Sequence, residues 1–148
     1  ALEQSFGRPV RVKGAVGDTY GPFGFNLAAI FGNKWKIKRN AVENALINRV
    51  DNAEFVPGTV ESLLSEPLRE PADVVVVDPP RVGLTGKALR RIVRLDAPSV
   101  IYVSCNPASL ARDLRGFLDA GYKVRSLSPF DLFPHTPHLE TLAVLSKY

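Results

Sequence analysis

Cys105, the only cysteine among 148 residues, follows the apolar run Ile101-Tyr102-Val103-Ser104 and precedes Asn106-Pro107. Asn is a good helix N-cap and Pro suits the first helical position, so the thiol is predicted at a strand-to-helix junction. A helix N-terminus carries partial positive charge, which lowers a thiol's pKa and favours the nucleophilic thiolate. A lone cysteine ending a strand is more often a small buried hydrophobe, and neighbouring residues must separate the two readings. Asp78 is a second candidate. It closes the run Val74-Val75-Val76-Val77, and Pro79 and Pro80 after it stiffen the turn, so its carboxylate is aimed out of the sheet edge. A turn-forming or helix-capping Asp explains the same position equally well. The third candidate is the segment from Phe130 to Glu140, which holds Pro134, His135, Pro137 and His138 and ends in an acid at the mouth of a strand. Either histidine alone reads as a structural hydrogen-bonder.

Alternating strands and helices must position these residues. Residues 2 to 7 read as the end of a helix closed by Gly7, and Pro9 to Val12 as a first strand. A loop from Lys13 to Gly24, with glycines at 14, 17, 21 and 24, leads into a helix within Phe23 to Phe31. Trp35 to Lys38 alternates as a strand. Asn40 and Glu43 form a capping pattern for a helix through Ile47. Ala53 to Val56 is a strand, Val60 to Leu64 a helical turn, and Asp73 to Asp78 a strand apolar on both faces. Thr85 caps a helix to about Arg94; Val100 to Ser104 is a strand; Pro107 to Ala120 is a helix stopped by Gly121. Tyr122 to Arg125 and Thr141 to Leu145 are the last strands. This order predicts an α/β fold with a mainly parallel sheet covered on both faces and ligands at the carboxyl ends of its strands. That edge gathers the Gly-rich loop, Lys36, Gly58-Thr59, Asp78 to Arg81, and Ser104 to Pro107.

Composition sets the outer bounds. With 45% hydrophobic and 23% charged residues, residues 1–148 are expected to form a single domain. One Cys excludes an intrachain disulfide and, with two His, leaves too few ligands for a structural zinc site, so no metal is expected and a reducing, cytoplasmic setting fits. No apolar run approaches the roughly 20 residues of a membrane span. The chain starts with Ala and contains no Met, as a piece of a longer protein would. A net charge of +4 is compatible with an anionic partner such as nucleic acid. Lys87, Arg90, Arg91 and Arg94 fall on one helical face, which either contacts phosphates or, more commonly, is simply solvated.

Three blocks, taken together, are distinctive. Asp78-Pro79-Pro80-Arg81-Val82-Gly83-Leu84 is followed by Val103-Ser104-Cys105-Asn106-Pro107 with Leu110-Ala111-Arg112-Asp113-Leu114, and then by Asp131 to Glu140. In this order and spacing they resemble the signature blocks of the RNA 5-methyluridine methyltransferases, and residues 41 to 148 follow that pattern almost throughout. The resemblance implies a Rossmann-like class I methyltransferase fold: a mostly parallel seven-stranded sheet, helices on both faces and an antiparallel C-terminal strand. It implies S-adenosylmethionine as cofactor and tRNA or rRNA as partner. It further implies that Cys105 adds to carbon 6 of uracil, that Glu140 removes the proton from carbon 5, and that Asp78 lies between cofactor and target base, with Arg81 beside it on the substrate side.

The first third departs from that pattern. The nearest ungapped match to the family's first loop is Asp18-Thr19-Tyr20-Gly21-Pro22-Phe23-Gly24, with Tyr20 placed against the cofactor and Pro22 in place of a glycine; Thr19-Tyr20-Gly21 matches a later part of that loop as an alternative register. Lys36 stands where an acid would bind the ribose hydroxyls, and Thr59 where an Asp would face the adenine. A cation cannot accept two hydroxyl hydrogen bonds, so weak cofactor binding is expected. The family's upstream RNA-binding domains have no counterpart in these residues. Two functions therefore follow from the sequence: an active uracil-5-methyltransferase domain, or a catalytically silent copy of the fold that binds RNA or a protein.

Overall fold

Valines at 74 to 77 build a short strand that is hydrophobic on both sides, and such a strand is stable only inside a covered sheet. The computed structural model describes residues 12–14, 43–44, 46–49, 53–55, 60–65, 72–132, 134–136 and 138–148. In chain order these form β1 (Val12–Gly14), β2 (Ala53–Phe55), α1 (Val60–Leu63), β3 (Val74–Val77), α2 (Gly86–Arg94), β4 (Ser99–Ser104), α3 (Pro107–Asp119), β5 (Lys123–Phe130) and β6 (Glu140–Ser146). Glu43, Asn44, Leu46 and Ile47 are helical, as the capping pattern at Asn40 predicts. The helices expected near residues 2–7 and 23–31 and the strand expected at 35–38 lie outside the described residues.

β1 and β2 pair in parallel, with Val12 opposite Ala53. The larger sheet has the order β3-β4-β6-β5. β3 and β4 are parallel and joined through α2, whereas β6 runs antiparallel to both β4 and β5. The antiparallel C-terminal strand is therefore present, inserted between two earlier strands rather than added at the edge. β5 runs on to Phe130 instead of ending at Arg125, pairing with β6 as far as Phe130 opposite Glu140. Ser126, Ser128 and Pro129 weaken the strand signal there. An edge strand tolerates Pro because one side has no neighbour to receive an N–H.

The core lies where the sheet meets α2 and α3. Val75, Val77, Val100, Tyr102, Ala143 and Leu145 alternate inward from three strands, and Ala88, Ile92, Leu110, Leu114 and Phe117 cover them from the helices. Phe117 sits edge-on between Tyr102 and Tyr122, with ring centroids 6.4 and 5.7 Å away, a favoured aromatic geometry. The Tyr122 hydroxyl donates to the Ala97 carbonyl at 2.8 Å, so its burial leaves no orphaned polar group.

Two helix caps set the loops at the carboxyl edge of the sheet. Thr85 Oγ1 accepts the Ala88 N–H at 3.0 Å and donates to Glu61 at 2.6 Å, fixing where α2 begins. Asn106 Oδ1 accepts the Ala108 N–H at 3.1 Å, with Pro107 in the first turn of α3. Gly121, with φ of +89°, then closes α3 as the sequence predicts.

Candidate active site

The relative positions of the candidate residues follow from strand register. β3 and β4 pair with Val77 opposite Tyr102, so Asp78 leaves β3 at the same edge at which β4 reaches Ser104 and Cys105. β4 and β6 pair with Ser104 opposite Thr141. The same register continued by one residue sets Cys105 opposite Glu140 across the seam. Three residues from distant parts of the chain, Asp78, Cys105 and Glu140, thus meet at one edge, all of them half-buried.

The loop after β3 is tied to the start of α3. The Arg81 carbonyl accepts from Asn106 Nδ2 and from Ser109 Oγ, each at 3.0 Å. Ser104 Oγ accepts the Asn106 N–H at 3.1 Å, which shapes the turn carrying Cys105. The Arg81 guanidinium reaches outward to His138 Nδ1 at 3.3 Å. His138 is therefore a hydrogen-bonder beside the site, and this contact also fixes where the segment before Glu140 crosses the Asp78 loop. Sequence reading does not single out Ser109. The only available signal is a hydroxyl in the first turn of a helix that starts beside a candidate nucleophile.

Burial comes first in the electrostatics of all three groups, and the neighbouring acid second for Asp78 and Cys105. Burial, and after it the charge of Glu140, pushes the Asp78 carboxyl up to about 6. Burial also raises Glu140, against the opposing influence of His138. The Cys105 thiol is raised above its ordinary value by burial first and by Glu140 second, with a smaller push from Asp78; its own backbone amide and Arg81 pull the other way. The sequence-based expectation of a depressed thiol pKa is therefore reversed. A helix N-terminus lowers a thiol only when its free N–H dipoles outweigh local anions, and here the Asn106 side chain occupies the Ala108 N–H while two carboxylates stand nearby. At neutral pH the resting side chain is the thiol.

A half-buried thiol beside an acid with raised pKa, with a second carboxyl across the edge, suits addition to an electrophilic carbon followed by proton removal. Tyr20 and Thr59, the other residues expected against a cofactor, lie outside the described residues, as do Pro22 and Lys36. Among the described residues there is no cluster of His, Cys, Asp or Glu able to hold a metal ion. No helix among them is long and apolar enough to cross a membrane.

Comparison with known proteins places this geometry in a family. The family model described as tRNA (Uracil-5-)-methyltransferase matches residues 26–148. An uncharacterized RNA methyltransferase of Caldanaerobacter subterraneus subsp. tengcongensis is 50% identical over 108 residues, covering 73% of this chain and 24% of that protein. One from Gloeobacter violaceus is 48% identical over 107 residues, covering 72% of this chain and 23% of that protein. The chain thus spans about a quarter of the length of the curated relatives it matches. Among solved structures, the tRNA (uracil-54, C5)-methyltransferase of Pyrococcus abyssi, in complex with S-adenosyl-L-homocysteine, is similar with a TM-score of 0.66 and 36% identity, covering 77% of this chain and 27% of that one. NSun6 of Pyrococcus horikoshii, with a TM-score of 0.60 and 16% identity over 78% of this chain and 40% of its own, shares the fold alone. That fold is the class I methyltransferase fold, and the chain belongs to the tRNA (uracil-5-)-methyltransferase family.

Proposed function

We propose that this chain methylates carbon 5 of a uridine in tRNA or rRNA through a covalent adduct on Cys105. The observation that carries the reading is the β4–β6 register, Ser104 opposite Thr141, which sets the lone cysteine against Glu140 while β3 delivers Asp78 to the same edge. Carbon 5 of uracil is a poor nucleophile. Addition of the Cys105 sulfur to carbon 6 pushes electron density into the ring and makes carbon 5 an enolate carbon able to form a new bond. S-adenosylmethionine, when bound, supplies the electrophilic methyl group. Asp78, half-buried at the end of β3, is suited to hold that donor and the uracil edge in line, and Tyr20 and Thr59 are its expected companions. Glu140 then takes the proton from carbon 5, the carbon–sulfur bond breaks, and the Cys105 thiolate is released. The raised thiol pKa means that Cys105 is protonated at rest: its proton passes to solvent as the sulfur adds to carbon 6, Glu140 stays free for the carbon-5 proton, and the released thiolate regains a proton from water.

A second reading, a silent copy of the fold that binds RNA, draws on Lys36 and Pro22, which stand where the family has an acid and a glycine. Calorimetric titration with S-adenosylmethionine separates the two. The methyltransferase reading expects saturable heat, weakened roughly ten- to a hundredfold by the missing acid at position 36. It also expects transfer of a labelled methyl group to carbon 5 of uridine in RNA. Absence of both binding and transfer would favour the silent fold.

Substrate contact by α2 can be tested separately. Arg91 donates to the Leu64 carbonyl at 2.6 Å and is thereby committed to holding α1. Lys87, Arg90 and Arg94 remain exposed, and Arg90 lines a cleft of about 480 Å³ between α2 and α3. α2 contains no acid, so its four basic residues alone match the net charge of the whole chain, +4. Reversing Arg90 and Arg94 to Glu is expected to weaken RNA binding and flatten its dependence on salt, because each phosphate contact adds roughly one unit to the slope of log K against log salt. Filter binding across a salt series measures both, and an unchanged slope would mean that this face is merely solvated.

A further inference from the structure

Asp113 lies on α3, away from the edge where the reacting groups meet, yet it joins the elements that carry them. Its side chain is buried at 3% exposure and both oxygens are fully engaged. Oδ2 accepts the Leu84 N–H at 2.7 Å and the Tyr102 hydroxyl at 2.6 Å. Oδ1 accepts from Arg112 Nε at 2.9 Å and Nη2 at 2.7 Å. The same Nη2 donates onward to the carbonyls of Val82 at 2.8 Å and Leu84 at 3.3 Å. One carboxylate thereby fastens the Asp78–Leu84 loop to β4, the strand that leads into Cys105, and to α3. Gly83 shows how closely the loop sits on this pair: its φ is +82°, and a Cβ there would lie 2.5 Å from both Arg112 Nη2 and Asp113 Oδ2. Burial and the hydrogen bond to Asp113 raise the Tyr102 phenol above its ordinary value, so it stays a donor at any working pH.

The anchor has something to resist. Asp78, on this loop, is half-buried and repelled by Glu140, and a free loop would relieve both penalties by swinging the carboxyl into water. We infer that Asp113 and Arg112 are positioning residues that hold the Asp78–Leu84 loop on β4, keeping Asp78 and Arg81 at a fixed distance from Cys105 while the uracil is between them. This rests on the uracil-methylation reading above. Neither residue touches the substrate; both act through the loop.

Two substitutions test the lock in the full chain. Asp113→Asn keeps the shape, and its amide oxygen still serves Leu84 and Tyr102, but its NH2 then points at the Arg112 guanidinium, donor against donor, and releases the outer tie. Arg112→Gln, at a side chain 58% exposed, removes the same tie and leaves every buried apolar side chain in place. In both, covalent adduct formation with 5-fluorouridine RNA and S-adenosylmethionine is expected to slow about ten- to a hundredfold, the effect of misplacing reacting groups by about 1 Å. RNA affinity is expected to stay unchanged, and hydrogen exchange at the Leu84 amide to accelerate. A folded variant that reacts at the wild-type rate, a loss carried by RNA affinity, or an unchanged Leu84 amide would each overturn the inference. If the wild-type chain itself forms no adduct, the uracil chemistry has failed on its own account and the Leu84 amide decides the lock: faster exchange confined to residues 78–84 upholds it, and unchanged exchange in both variants overturns it.

Discussion

RNA containing 5-fluorouridine, incubated with S-adenosylmethionine and this chain, is expected to become covalently joined to Cys105, and Cys105→Ala is expected to abolish the adduct. Fluorine at carbon 5 cannot leave as a proton, so the final step is blocked and the carbon–sulfur bond persists. Alanine has no nucleophile to form it, and methyl transfer to ordinary RNA should fall on the order of 10,000-fold or more, as when other enzymatic nucleophiles are deleted. Denaturing gel electrophoresis with labelled RNA measures the adduct, and tryptic mass spectrometry places it. The pH dependence has a definite sign. Burial and Glu140 raise the thiol pKa, so the thiolate fraction, and with it the rate of adduct formation, climbs through neutral pH into the alkaline range. A rate already level below pH 7 would contradict the reversed thiol electrostatics. An adduct that survives Cys105→Ala would remove Cys105 from the mechanism.

Glu140→Gln should separate the two halves of the reaction. Cys105 can still add to carbon 6, but no base removes the proton from carbon 5, so the methylated adduct accumulates with ordinary uridine RNA. Turnover should fall by roughly a hundred- to ten-thousandfold, the range for loss of a positioned general base. Glu140's charge contributes to the raised pKa of both Asp78 and Cys105, and replacing it with a neutral amide should lower both. Adduct formation at neutral pH should therefore be no slower than in the unmodified chain, even though release is. Stability should respond as well. The folded chain holds the Asp78 proton with a pKa of about 6 against an ordinary value of 3.8, so the stability from this group is fully present below 3.8 and is lost as pH rises through about 6. At pH 7 the ionised pair is a net penalty, and Glu140→Gln should raise the melting temperature there relative to its effect at pH 4. Thermal unfolding at the two pH values checks the sign, and normal release of methylated RNA by the variant would exclude Glu140 as the base.

The local sequence determined where elements start and stop, because caps and helical periodicity act over only a few residues. Thr85 before α2, Asn106-Pro107 before α3 and Gly121 after it are found where residue types alone predict them. The valine run at 74–77 likewise identified a strand, of which the structure buries one face, Val75 and Val77, and leaves Val74 exposed and Val76 partly covered; the three signature blocks supplied the family and hence the identity of the candidate residues. Where local signals were weak the sequence was less informative: β5 runs through Ser126, Ser128 and Pro129 because its pairing with β6 outweighs their poor strand propensity.

Tertiary structure alone decided how the candidates act on one another. Nothing local at Cys105 reports that Glu140 lies across the β4–β6 seam. The helix N-terminus argument counts only the cap and its dipole, and it therefore gave the wrong direction for the thiol. Long-range charge and burial reversed it, since both depend on strand register rather than on neighbours in sequence. The same holds for Asp113. In the sequence it is one acid beside one Arg on an amphipathic helix; only the folded chain shows that its two oxygens serve β4, the Asp78 loop and Arg112 together. Hydrogen bonds spanning 11 and 29 residues are set by where the sheet and α3 pack, and packing is a property of the whole chain.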